Sequence, residues 1–361
     1  MADFIRAIYE RLQRNPKRVV FPEGHESRVV KAAAEYVRLG LGPAVLLGTR
    51  ERVAEAAFQA GVGLVRVRVV DPAKAQELSF FSEQVRRYPR FTSMDVEEAR
   101  KMLCNPNYFA AMMLAYGQVD ALVGGVSVES GSLLRPLFSI VRPLPGVGVI
   151  SSCMMMQLED VSVGDNGLIV MADCGVIPEP TVEQLANIAV EAGLVFRQMT
   201  GRRPFVAMLS YSTRGSARTR HTERVAAAAA LARKIIADNH LMMELDGEMQ
   251  VDAAISPRVA FSKAQGSPVA GRANVLIFPD LNSGNIATKL VQLLAHGRAY
   301  GQILMGINKP AADVSRGAGW EEILGVAAIV ASRAITYREL YPEQGARGLP
   351  AVDLRDVRFG L

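Results

Sequence analysis

Short apolar strands and amphipathic helices alternate along this chain, and that alternation restricts it to a layered α/β architecture. A strand over 18–21 is stopped by Pro22-Glu23-Gly24, and a helix then runs through Val29, Val30, Ala33 and Val37 to a stop at Gly40. Strand 44–47, helix 50–60 and strand 64–70 repeat the pattern, which implies a parallel sheet with helices on both faces. Helices over 95–103 and 107–116 lead to a strand at 121–123, and Gly124-Gly125 opens the way to a helix over 130–140. Pro143-Leu144-Pro145-Gly146 is a dense breaker cluster and a candidate domain boundary. Beyond it the pattern predicts strands at 147–155, 168–172, 204–209, 241–245, 274–278 and 302–305. It predicts helices at 181–198 with Thr181 as cap, and at 222–238, 252–262, 285–295 and 319–340. The tail from Tyr341, rich in Pro, Gly and charge, is expected to be only partly structured. The expectation is α/β throughout, with two sheets.

A length of 361 residues suits two domains, each able to bury a core. The net charge is +5, and only eight of the 41 cations are lysine. Arginine grips phosphate and carboxylate through a planar fork, so the surplus fits phosphorylated ligands as well as a solvated surface. The cations are scattered rather than run together, which argues against a nucleic-acid partner. No stretch approaches the roughly 18 apolar residues of a spanning helix. Phe4, Ile5, Ile8 and Leu12 share one helical face among charges, the pattern of a docking helix rather than a signal peptide. Cys104, Cys153 and Cys174 lack metal spacing, and their odd count argues against a disulfide framework. The expected location is the cytoplasm, with no membrane partner.

Several chemistries are excluded by missing motifs. There is no G-x-x-x-x-G-K-[ST] for a P-loop, and Gly146 and Gly148 precede a strand without a third glycine. His25, His221, His240 and His296 are scattered, and Gly125-Val126-Ser127-Val128-Glu129 misses the nucleophile elbow at its last position. Asp246, Glu248 and Asp252 read as caps and strand-end carboxylates rather than a hard-metal site.

Four segments differ from generic core or loop. They are 208–216 with Ser210, Ser212, Thr213 and Arg214; 266–271 followed by 273–285; Leu134-Arg135-Pro136; and Lys309-Pro310 followed by Asp313-Val314-Ser315-Arg316-Gly317. Each falls just after a predicted strand or on the element it leads into, where open α/β sheets bind ligands. Hydroxyls, guanidinium groups and helix N-termini there suit a phosphorylated anion.

These segments carry a resemblance. With Phe21-Pro22-Glu23-Gly24, Met171-Ala172-Asp173-Cys174 and Asp246-Gly247-Glu248, they resemble the phosphate acetyltransferase (phosphotransacetylase) and butyryltransferase family, over most of the chain to about Ile335. The resemblance implies two α/β/α domains with a cleft between them, isocitrate/isopropylmalate dehydrogenase-like. Residues 1–145 and 305–361 would form one domain and 146–304 the other, through which the chain would form a homodimer. It implies acetate metabolism: reversible acetyl transfer between coenzyme A and inorganic phosphate, with acetyl-CoA, phosphate and acetyl phosphate as substrates and no cofactor or metal. Ser315 and Arg316 match the family's catalytic Ser-Arg pair, and Arg135 matches an arginine that holds the phosphoryl group. Arg86 or Arg87 matches a further phosphate-binding arginine, across an insertion at 88–91. Ser212, Asn285, Lys289 and Lys309 are assigned to substrate binding. The family has Asp seven residues after the serine; Glu322 stands there and is assigned as the base. Two further departures are Ile177, where Asn is usual, and Ala318-Gly319-Trp320, where small polar residues are usual. The alternatives are a propionyl- or butyryltransferase, a non-catalytic acetyl-CoA-sensing domain and a metal-dependent hydroxyacid dehydrogenase.

Overall fold

The structure, a computed structural model, describes residues 3–144 and 147–340. The Pro145-Gly146 part of the expected boundary and the tail from Tyr341 lie outside the described residues. The strands are β1 (Val19–Phe21), β2 (Ala44–Leu47), β3 (Val67–Val70), β4 (Ala121–Gly124), β5 (Ser151–Gln157), β6 (Leu168–Ala172), β7 (Phe205–Leu209), β8 (Glu244–Met249), β9 (Val275–Ile277), β10 (Arg298–Met305) and β11 (Ala311–Asp313). The helices are α1 (Asp3–Arg14), α2 (Ser27–Arg38), α3 (Arg50–Ala60), α4 (Leu78–Val85), α5 (Val96–Leu103), α6 (Pro106–Ala115), α7 (Ser130–Ile140), α8 (Val182–Thr200), α9 (Arg220–Asp238), α10 (Val251–Ile255), α11 (Pro257–Lys263), α12 (Leu281–Leu294) and α13 (Trp320–Leu340).

All these strands belong to one sheet, in the order β3-β2-β1-β4-β11-β10-β5-β6-β9-β7-β8. This corrects the expectation of two sheets. The joining strand is β10, which extends from Arg298 rather than Gln302 and pairs antiparallel with both β5 and β11. Strand β11, Ala-Ala-Asp, is too short and too weakly β-forming to be legible in the sequence, yet it pairs parallel with β4 and extends the first half to β10. On either side of this seam the expected parallel pairing holds: β1 with β2 and β4, and β9 with β6 and β7.

Strand alternation sends successive side chains to opposite faces. Val19 and Phe21 join one core cluster, which also takes side chains from α1, α2, α3, α8, α9 and α13 across both halves of the sheet. Val20 points the other way, into a cluster with α4 to α7. Met154 and Met156 enter a third cluster, with Ala254 of α10 and, at its edge, Ala287 and Val291 of α12. One face is therefore a continuous core and the other carries two separate ones. The predicted helix over 252–262 divides into α10 and α11 because Pro257 cannot continue α10 and instead opens α11, with Ser256 as its cap. Thr181 and Gln184 form a capping box at the start of α8, as the cap assignment expected.

Helix α12 is fixed by a close approach: a Cβ on Gly284 would collide with the carbonyl oxygen of Asp173 at the end of β6. Gly284→Ala should cost about 1–3 kcal/mol, the range for overpacking a filled site, measured as a lower urea midpoint. The exposed neighbour Asn282→Ala should stay within about 0.5 kcal/mol of the parent. Equal midpoints for the two variants would contradict the packing.

Candidate active site

Because β10, β5 and β6 pair antiparallel in turn, the loops after β1, β4 and β11 leave one end of the sheet and those after β6 and β9 the other, and α12 runs back from the second end to meet the first at the seam. Ser315 lies in the loop between β11 and α13 and is half-buried. Its Oγ accepts from Lys289 Nζ at 3.2 Å, across 26 residues of sequence, and from the Gly317 amide at 3.4 Å. Lys289 stands on α12, where Asn285 lies one turn earlier and Gln292 nearly one turn later, so the three share a face. Asn285 Nδ2 donates to the Cys174 carbonyl at 3.1 Å, and Gln292 Nε2 donates to Glu322 Oε1 at 3.0 Å. One helical face thus touches the loops after β6 and β11 and the first turn of α13.

The backbone of the Ser315 loop is held from α2. Arg28 Nη1 donates to the carbonyls of Arg316 at 2.9 Å and Ala318 at 2.8 Å, and Glu26 accepts from its Nε and Nη2. The Arg316 side chain is left exposed. Arg135 is also exposed, on α7 after β4, the strand beside β11.

The remaining assigned residues are placed differently. Ser212 is fully buried: its Oγ donates to Glu248 Oε1 at 3.0 Å and accepts from the Ala217 amide at 3.1 Å, so it shapes its loop and offers no open surface. Arg86 Nε donates to the Met94 carbonyl at 2.7 Å, inside the α4–α5 connection. Lys309 precedes β11 and Ser315 follows it, so the two sit at opposite ends of that strand, up to about 20 Å apart along an extended chain. Glu322 fills a helix-start position, its Oε2 accepting from the Gly319 amide at 3.1 Å. Among the described residues no group of His, Cys, Asp or Glu could hold a metal. Asp246 instead accepts from Ser267 Oγ at 2.6 Å and pairs with Arg214 and Arg233.

Two buried carboxyls lie in motifs that the sequence reading quoted without giving them a role. Glu23, 2% exposed, accepts from the Val126 and Ser127 amides and from Ser127 Oγ, and so fixes the loop that opens α7. His25 Nε2 lies 3.2 Å from the same Ser127 hydroxyl. Asp313, 5% exposed and two residues before Ser315, keeps its Oδ1 without a partner among the described residues. Burial, joined by the charge of Glu23, pushes the Asp313 carboxyl up to about 6, against a lowering bond from Ser130. The only signal available was position: each carboxylate ends a strand that leads to a ligand-side loop. A cavity of about 710 Å³ beside α1 and the start of β10 holds none of the assigned residues.

The sequence profile of the phosphate acetyl/butaryl transferase family matches residues 3–331. The chain belongs to that family. A phosphate acetyltransferase of Acetivibrio thermocellus is 41% identical over 331 residues, covering 92% of this chain and 98% of that protein. A phosphotransacetylase structure from Streptococcus pyogenes superposes with a TM-score of 0.84 at 35% identity, covering 93% of this chain and 99% of that one. One from Staphylococcus aureus gives 0.83 at 32% identity, covering 92% and 98%.

Asp313 yields a signed pH test. Its folded value lies above the unfolded value near 3.9. The folded state therefore holds the extra proton between those values, and stability falls as pH rises from about 4 to about 6, then levels. Asp313→Asn lacks this component, so in urea melts the parent should lose stability relative to the variant across that window. A constant difference from pH 4 to 7 would contradict the assignment.

Proposed function

We propose that the chain transfers an acetyl group reversibly between coenzyme A and inorganic phosphate, acetyl-CoA + phosphate = CoA + acetyl phosphate, by direct attack within a ternary complex. The observation that carries the chemistry is the Lys289–Ser315 contact with the Arg316 side chain open beside it. A lysine ammonium, a hydroxyl and a free guanidinium from two separate parts of the sheet stand where one small anionic ester could be gripped. In the transfer, the thiolate sulfur of coenzyme A forms a bond to the acetyl carbon while the bond from that carbon to the phosphate oxygen breaks. Arg316 and Ser315 would stabilise the charge that develops on the carbonyl oxygen, a contribution of roughly 2.7–4 kcal/mol for one well-placed donor. Arg135 would neutralise the phosphate. Arg86, Asn285, Lys289 and Lys309 remain the proposed substrate-binding residues, with Asn285 and Lys289 supported by their shared face.

Glu322 is the proposed base for the thiol, which titrates at about 8.5 when free. Its two oxygens accept from Gly319 and Gln292, which orients the carboxylate and leaves an acceptor site on each oxygen for the thiol proton. Glu322→Gln should then cost about 10²-fold in turnover at neutral pH, with partial recovery as the thiol ionises unaided at higher pH. A loss below threefold from pH 6 to 9 would assign Glu322 to the helix start alone.

A homodimer is the proposed assembly. Ile286, Leu290, Leu293 and Leu294 leave an apolar face of α12 exposed, Leu294 at 75%, as an unpartnered interface would. Among the described residues no helix is long and apolar enough to cross a membrane. The three free cysteines fit the proposed cytoplasmic location.

The defining assay is phosphate-dependent release of free thiol from acetyl-CoA, repeated with propionyl- and butyryl-CoA to fix the acyl length. Arg316→Ala should lower kcat more than tenfold, at least about 1.4 kcal/mol of transition-state stabilisation. Arg135→Ala should raise KM for phosphate far more than KM for acetyl-CoA. Thiol release that ignores phosphate would contradict the proposal.

A further inference from the structure

The residue that opens α13 is Trp320, the one tryptophan of the chain. It directly follows the loop that carries Ser315 and Arg316. Lys31 of α2 places its Nζ 4.5 Å from the centroid of the Trp320 ring, within the range of a cation–π contact. Both side chains are half-buried, and the indole packs against the continuous core, which limits competition from water. Lys31 stands three residues after Arg28, hence on the same side of α2. Arg28 already binds the carbonyls of Arg316 and Ala318. One helical face therefore grips the loop twice, by its backbone and by the aromatic ring at its far end.

We propose that Lys31 is a positioning residue for the transfer, whose ammonium on the Trp320 ring sets the start of α13 and with it the pose of Ser315 and Arg316. Arg28 fixes two carbonyls from one guanidinium nitrogen, and Lys289 and Gln292 hold the same segment from α12. The Trp320 contact supplies a second, separate hold from α2. It also fixes the first turn of α13, where Glu322 binds Gly319 and Gln292. The inference rests on the reading of Ser315 and Arg316 as the reacting pair.

The test combines steady-state kinetics with the emission of Trp320, which reports the loop without interference from another tryptophan. Lys31→Met keeps the stem and removes the charge. It should lower kcat about three- to fivefold, the scale of a partly shielded cation–π contact, with KM for either substrate changed less than twofold. The emission maximum should move and acrylamide quenching should rise, with the melting temperature lowered by no more than about 2–4 °C. Lys31→Arg should restore kcat, since a guanidinium also stacks on indole. Trp320→Phe, which keeps a weaker π face, should lose less than Trp320→Leu. If Lys31→Met keeps kcat within 1.5-fold while Arg316→Ala is inactive, the positioning role is overturned and the catalytic reading stands. If Arg316→Ala is itself active, the loop reading fails and this inference fails with it.

Discussion

Strand β10 hydrogen-bonds to β5 along one edge and to β11 on the other, and the arrangement of the site depends on that seam. Only the seam fixes β11 relative to β6 and β9, and only then does α12 face the loop that leaves β11. The Lys289–Ser315 bond follows from it. So does the reach of Asn285 to Cys174 and of Gln292 to Glu322. A continuous core beneath both halves, from α1 through α8 to α13, makes the seam hard to flex on that side.

Most of the architecture was legible because its signals are local. Apolar strands such as Val19–Phe21 and Leu168–Ala172 stand between breakers, and Thr181 caps a long amphipathic run. What could not be read was set by tertiary pairing. Nothing in Ala311–Asp313 marks a strand; only β4 and β10 on either side make it one. The same holds for the site. Segments around Ser315, Arg316, Asn285 and Arg135 stood out by residue type and by following predicted strands, but that two of these strands run in opposite directions could not be read. Burial could not be seen, so nothing in the sequence marked Ser212 as a hydroxyl closed beneath Glu248. Glu23 and Asp313 stood in quoted motifs without a role of their own, because a buried carboxylate looks like any other acid in a sequence.

The chemistry this frame supports is one of grip and orientation rather than covalent relay. The two cysteines near the seam are unsuited to carry an acyl group. Burial pushes the Cys153 thiol up to about 12 and the Cys174 thiol well above its ordinary value, so neither supplies a thiolate at neutral pH. Ser315 has an ammonium beside it, where a nucleophilic hydroxyl needs a base; Lys289 as an ammonium donates a bond to Oγ rather than taking a proton from it. A hydroxyl so held suits donation to a developing oxyanion.

Direct transfer in a ternary complex is the central claim, and isotope exchange tests it most directly. The protein is incubated with acetyl phosphate and labelled inorganic phosphate in the absence of coenzyme A, and label entering acetyl phosphate is followed together with the intact mass of the protein. Direct transfer predicts no exchange and no acetyl adduct until coenzyme A is added. Exchange without coenzyme A, accompanied by an acetylated protein, would contradict it.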